Sequence, residues 1–212
     1  LSSRFEIHDY FIAKSIRKLK PGGLGVFITS TATLDRSANL RNWVVNDGNA
    51  DFIGAVRLNT GTFKNTAGTE TSADIIIVRK RDEAGPAPYA VNMQSTITER
   101  EAPYERIIKL SNGKVKTEAA TAHMNYNKYF HDNPQFMAGQ MRFGFESGVE
   151  IRPTEQRCVP TSDIDQSRTL DSFISALPEN IYTSAPAPAT ERIPQAVEAP
   201  NSTKERGLTI ID

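Results

Sequence analysis

Few side chains in this sequence have a type and spacing that could do chemistry. His8, His123 and His131 are far apart, and with the single Cys158 they make no metal-ligand pattern. No serine lies in a nucleophile elbow, and no Ser-His-Asp or Cys-His order can be read from spacing. Gly22, Gly23 and Gly25 resemble a phosphate loop superficially. They precede an apolar run instead of opening a helix, which removes a dinucleotide reading. What remains is a polar loop at residues 59–71 that carries one aromatic side chain, Phe63, among Lys64, Asn65 and Thr69. The three polar residues are of types that contact a phosphate, a base edge or water. Phe63, read from the residues alone, packs its loop onto a sheet. Thr29 and Ser30 close an apolar run at its carboxyl end. Ligands sit there in open α/β sheets, and hydroxyls at such ends also satisfy local backbone groups.

These residues need elements to position them. Residues 4–20 read as a helix with Ile12, Ile16 and Leu19 in one stripe and Ile7 and Phe11 beside it; Lys14, Arg17, Lys18 and Lys20 face outward. Pro21-Gly22-Gly23 stops it. Residues 24–28 are then a strand, too short for a helix, and their unbroken apolar character predicts burial on both faces, as in a parallel sheet. Asp35 or Ser37 is placed to cap a second helix across Leu40, Trp43 and Val44. Residues 52–58 and 73–78 are two further strands, predicted to be antiparallel neighbours across the polar loop. Strand, helix, strand, loop, strand is an α/β unit, the later half of a doubly wound sheet.

After Pro86 and Pro88, residues 89–98 and 105–116 read as strands, the second turning at Asn112-Gly113. Residues 125–142 are dense in aromatic residues and methionine, a pattern of burial against the α/β unit or of a docking patch. Seven of the 12 prolines lie between residues 153 and 200. One short helix is expected at 167–177, and the Ala-Pro run near 185–200 reads as an extended linker. The expected divisions are 1–83, 84–152 (an appended small β-rich region) and 153–212 (an acidic, Pro-rich tail).

The net charge of zero conceals a division of sign. Residues 1–145 hold 19 basic and 14 acidic side chains, and residues 146–212 hold 6 and 11. Mild basicity permits nucleic-acid contact without requiring it. No apolar run is long enough to span a bilayer, so no membrane partner is expected. The lone cysteine fits a reducing, cytoplasmic setting. The start at Leu1 suggests an excised or processed piece.

The stretch LKPGGLGVFITS resembles the second half of an S-adenosylmethionine-dependent methyltransferase domain. The continuation AVRLNTGTFKNTAGTETSADIIIVRK resembles the Leu-Pro-x-x-x-Phe loop and following strand of γ-type N6-adenine DNA methylases, nearest to the large methylase–helicase proteins of conjugative elements and phages. NYNKYFHDNPQFMAGQM resembles a later block of the same proteins. The likeness covers residues 4–145. It implies a partial Rossmann-like methyltransferase sheet, of which only the last strands and helices are present. The Gly-rich cofactor loop and the Asn-Pro-Pro-Tyr tetrad are absent, since Asn133-Pro134 is followed by Gln135. Asn59 stands where the family usually has proline.

The resemblance implies a DNA adenine-N6 methyltransferase of restriction-modification or mobile-element type, with S-adenosylmethionine as cofactor of the parent protein. Phe63 becomes the platform for a flipped adenine. Lys64, Asn65, Thr69, Thr29 and Ser30 become its substrate-side neighbours. Implied partners are DNA, the upstream half of the methyltransferase domain and a possible helicase domain. The chain alone is expected to be inactive and to bind S-adenosylmethionine poorly. The alternatives are a non-catalytic interaction module that uses residues 125–141 or the linker, and a methyltransferase-like domain acting on RNA or protein.

Overall fold

The computed structural model describes residues 5–82, 85–87, 90–91, 97–110, 112–146 and 150–182. It begins with α1 (Ile7–Lys18), which buries Ile12, Ala13 and Ile16 and leaves Ile7 and Phe11 in solvent. Asp9 lies in its first turn and Arg17 and Lys18 in its last, each matching the helix dipole. The Pro-Gly-Gly turn is held from the far end of the sheet: the Gly22 N–H donates to the Lys80 carbonyl, and the Lys80 N–H to the Gly23 carbonyl. Then follow β1 (Leu24–Ser30), the short α2 (Ala32–Asp35), α3 (Ala38–Val45), β2 (Ala50–Leu58), the single-turn α4 (Lys64–Ala67) and β3 (Ala73–Lys80).

These strands form one sheet in the order β1-β3-β2, with β3 antiparallel to both neighbours. β1 and β2 therefore run in the same direction on either side of it. The class is mixed α/β, and β2 and β3 are antiparallel neighbours as expected. The burial expected for β1 is not found. Every residue of β2 is buried, whereas Val26 and Ile28 of β1 are 60% and 63% exposed. Both are outer strands of the sheet, but β2 is covered by α3, Tyr129 and Phe173 and bridged to Val91 and Met137, whereas the face of β1 that carries Val26 and Ile28 is left uncovered among the described residues. Together with Phe11 these residues border a groove of about 380 Å³ between α1 and β1, which His8 and Ser15 also line.

The remaining chain builds two hairpins and a helix. β4 (Ile97–Lys109) pairs with β5 (Val115–Asn127) over 13 register positions. The strand expected at 89–98 falls largely on residues 88–89 and 92–96, which lie outside the described residues; the segment expected at 105–116 does turn at Asn112-Gly113, as part of a longer ribbon. α5 (Lys128–Asp132) and a 3-10 turn (Pro134–Phe136) lead into β6 (Gln140–Glu146) and β7 (Glu150–Val159), and α6 (Gln166–Ala176) follows. Asn127 caps α5 and Asp165 caps α6 through their side chains.

The core runs from α1 and α3 through the sheet into Tyr129, Phe130, Phe136 and Phe173. The aromatic residues of 125–141, Tyr126, Tyr129, Phe130 and Phe136, are thus buried in this core, the first of the two patterns that their composition allowed. A bulge between Phe52 and Gly54 frees the Ala55 N–H, which donates to the Tyr129 hydroxyl at 3.1 Å. Across residue 153, where the Pro-rich stretch was expected to begin, β7 continues to Val159, and α6 beyond it buries Phe173. The expected linker at 185–200 lies outside the described residues. No helix among the described residues is long and apolar enough to cross a membrane.

Candidate functional site

The polar loop joins the carboxyl end of β2 to the start of β3. In register, Ser30, Ala73 and Leu58 form the last row of the sheet, and Thr29, Asp74 and Arg57 form the row behind it. The loop therefore stands at the carboxyl ends of both β1 and β2.

Its two roots are fixed by hydrogen bonds. The Asn59 amide donates to the Ala138 carbonyl at 2.8 Å, and its Oδ1 accepts the Gly61 N–H at 2.9 Å. The Thr62 hydroxyl lies 2.6 Å from Gln166 Oε1, and the Thr60 N–H donates to the Cys158 carbonyl. At the other root, Ser72 Oγ accepts the Cys158 N–H at 2.8 Å. Asn59 thus supplies by side-chain bonds the stiffness that a proline would supply by ring closure. Gly139 is required by this arrangement: a Cβ there would lie 2.3 Å from the Val159 carbonyl oxygen.

Between the roots the loop projects. Phe63 is half-buried at the start of α4, and its carbonyl accepts the Ala67 N–H. Lys64 and Asn65 are exposed; Lys64 forms a solvated ion pair with Glu70 at 2.7 Å, of a kind that contributes little to stability. Thr69 shares a hydrogen bond with Thr71 at 3.0 Å. Gly68 ends the turn in the left-handed conformation, at φ 65°.

Thr29 and Ser30 share this end of the sheet but are occupied locally. The Thr29 and Thr33 hydroxyls are 2.8 Å apart, and Thr33 in turn donates to the buried Asp9. Ser30 Oγ accepts the Ala32 N–H at 3.2 Å. Both hydroxyls shape the turn into α2.

Beneath the loop lies a cluster that sequence reasoning missed. Arg57 is wholly buried. Its Nε donates to Asp74 Oδ1 at 2.8 Å, and Nη2 donates to Asp74 Oδ2 and to Asp35 Oδ1, both at 2.9 Å. Its guanidinium sits 4.3 Å from the centre of the Phe130 ring. Asp35 also accepts the Asn127 N–H at 2.9 Å. Burial pulls the guanidinium pKa down, but the two carboxylates outweigh it and leave the pKa raised, so Arg57 stays charged. The cluster ties β2, β3, α2 and the end of β5 together at the loop's root. The readable signal was one charge in each of two apolar strands, Arg57 and Asp74, equidistant from the loop.

Cys158 lies beside this root and is buried. Burial lifts its thiol from 9.0 to about 12. The thiolate is the reactive form, so iodoacetamide is expected to leave Cys158 unlabelled near pH 8 until the chain unfolds globally. Stability is expected to fall as pH rises from about 9 toward 12, where only the unfolded thiol ionises. Rapid labelling of folded protein would contradict this burial.

Over 152 residues, 71% of its length, the chain is 26% identical to a protein named Defense against restriction protein B from Escherichia phage P1. The match takes up 6% of that protein, so the chain spans only a small part of the length of this relative. No protein-family model and no solved structure matches the chain.

Proposed function

We propose that the chain is the substrate-side portion of an N6-adenine DNA methyltransferase that belongs to a much longer protein. The observation that carries this reading is the loop at residues 59–72. It is pinned at both roots and presents an aromatic residue and polar groups at the carboxyl edge of the sheet. An adenine must leave the duplex before its exocyclic nitrogen can react, and a flipped base needs an aromatic or apolar platform. Phe63 has the ring and the placement, with Lys64 and Asn65 exposed beside it.

Two further observations support the reading. The free edge of β1 carries exposed Val26 and Ile28 beside Phe11, an apolar surface suited to further strands of the same sheet. The relative from phage P1 bears a name that refers to defence against restriction, and methylation of adenine is one chemical means of protecting DNA from cleavage.

The described residues do not fit S-adenosylmethionine. The Pro-Gly-Gly turn is closed by its bonds to Lys80, and a Cβ on Gly23 would lie 2.9 Å from the Lys20 carbonyl, so no open cradle exists there. The cofactor and the groups that orient the amine are assigned to polypeptide outside this chain. Thr29 and Ser30 border the site through the backbone turn they build.

The test uses the full-length protein, adenine-containing duplex DNA and methyl-labelled S-adenosylmethionine. Label is expected at adenine N6, and Ile28→Glu is expected to abolish transfer by placing a carboxylate in the join while barely changing the melting of the 212-residue chain, where residue 28 is exposed. Absence of transfer to any adenine would overturn the reading in favour of a non-catalytic module.

A further inference from the structure

The β4–β5 hairpin is an arm. From Met124, which is buried, out to Val115 the strand runs roughly 30 Å at about 3.3 Å per residue. Residues 115–119 are exposed in succession, with no alternation, so neither face of β5 is covered there. The tip is preorganised: Asn112 Oδ1 accepts the Lys114 N–H at 3.0 Å, the Leu110 N–H donates to the Lys114 carbonyl, and Gly113 supplies a φ of 77°.

The arm is also polarised in charge. In register, the rows from Ile107 and Thr117 outward include Lys109, Lys114 and Lys116 and no acidic residue; the row behind them sets Arg106 opposite Glu118, and residues 97–105 include Glu99, Glu101 and Glu105 against Arg100 alone. Lys116 is paired with Glu118 at 2.7 Å, but both are solvated, 59% and 45% exposed, and water screens such a pair. The basic charge is therefore concentrated at the end that reaches furthest from the body.

We infer that this arm holds duplex DNA by its phosphates, with the ribbon tip at the major groove and Lys114 and Lys116 on the backbone. The major groove admits a two-stranded β-ribbon. Lysines act on phosphate as point charges, so the arm positions the duplex without reading its sequence. Val115, 59% exposed, and Leu110, 41% exposed, suit contact with thymine methyl groups. The tip segment 109–117 sets Leu110 and Val115 among three lysines, serine, asparagine and threonine, a poor membrane insert. The inference rests on the reading of the parent protein as an enzyme of DNA.

The test is fluorescence anisotropy of the 212-residue chain with a short labelled duplex at several salt concentrations. Affinity is expected to fall linearly in log–log form, and Lys114→Glu/Lys116→Glu is expected to flatten the slope by about 2, at about 0.9 for each phosphate no longer neutralised. Lys114→Arg/Lys116→Arg is expected to keep the slope and to melt with the parent, which separates charge from folding. An unchanged slope in the Glu variant, no binding of duplex by the parent chain, or equal binding to phosphatidylserine vesicles would overturn the arm. A lysine-dependent slope in a full-length protein that transfers no methyl group would overturn the enzyme alone.

Discussion

Arg57→Met is expected to destabilise the chain by about 3–5 kcal/mol, the usual cost of removing one partner from a buried ion pair. The measurement is a denaturant titration in which the midpoint falls at unchanged slope. The effect is large because Arg57 faces two buried carboxylates, and the substitution leaves Asp74 without a counter-charge and Asp35 with only the more distant Arg41. Methionine fills much of the space under Phe130, so lost volume accounts for little of the effect. Adding Asp74→Asn is expected to recover part of the loss, because one stranded charge is then removed. A double variant as unstable as the single one would locate the cost in packing rather than in uncompensated charge.

Much of the sheet was legible because burial writes a pattern into sequence. α1, α3 and β1 to β3 stand where periodicity, Pro-Gly-Gly and β-branched runs placed them. Ser37 rather than Asp35 precedes α3, since the Asp35 carboxylate is committed to Arg57 and Asn127. The unbroken apolar run of β1 signals two covered faces, whereas in this chain Val26 and Ile28 meet solvent. The β4–β5 ribbon was legible in its turn at Asn112-Gly113 but not in its length. A strand such as β5, with exposed residues in succession over its outer half, carries no alternation, and in β4 Pro103 with the charges at 99–101 interrupts any strand pattern in the sequence.

Proline density averaged over residues 153–200 conceals the elements at the start of that stretch. Pro153 lies within β7, Pro160 just beyond it and Pro178 just beyond α6, so those prolines border elements instead of excluding them. Phe173 and Cys158, both buried, were the competing signals. For the candidate site, the loop and Phe63 were legible, and the Arg57 cluster was not. Pairing Leu58 with Ala73 across the loop makes Arg57 and Asp74 cross-strand partners, but that register depends on a loop length that sequence alone does not fix.

Phe63→Ala is the substitution expected to have the largest effect on activity without unfolding the chain. Base–aromatic stacking is worth roughly 1–3 kcal/mol per base, which corresponds to a fall of roughly five- to 150-fold in kcat/KM for transfer to adenine by the full-length protein. Phe63 is half-buried, and the loop that carries it is anchored by Asn59, Thr62 and Ser72, none of which bonds through the ring. The melting temperature is therefore expected to change little. Phe63→Tyr and Phe63→Trp keep a stacking face and are expected to retain most activity, whereas Phe63→Leu keeps only apolar area and should fall between them and alanine. A substrate that already offers adenine unpaired, such as a mismatch, should suffer less from Phe63→Ala, because less unpairing energy then needs to be offset. If Phe63→Ala lowers stability and transfer together, and the mismatch restores neither, the ring packs the loop and does not hold a base. Full transfer by a folded Phe63→Ala protein would move the base platform elsewhere on the carboxyl edge.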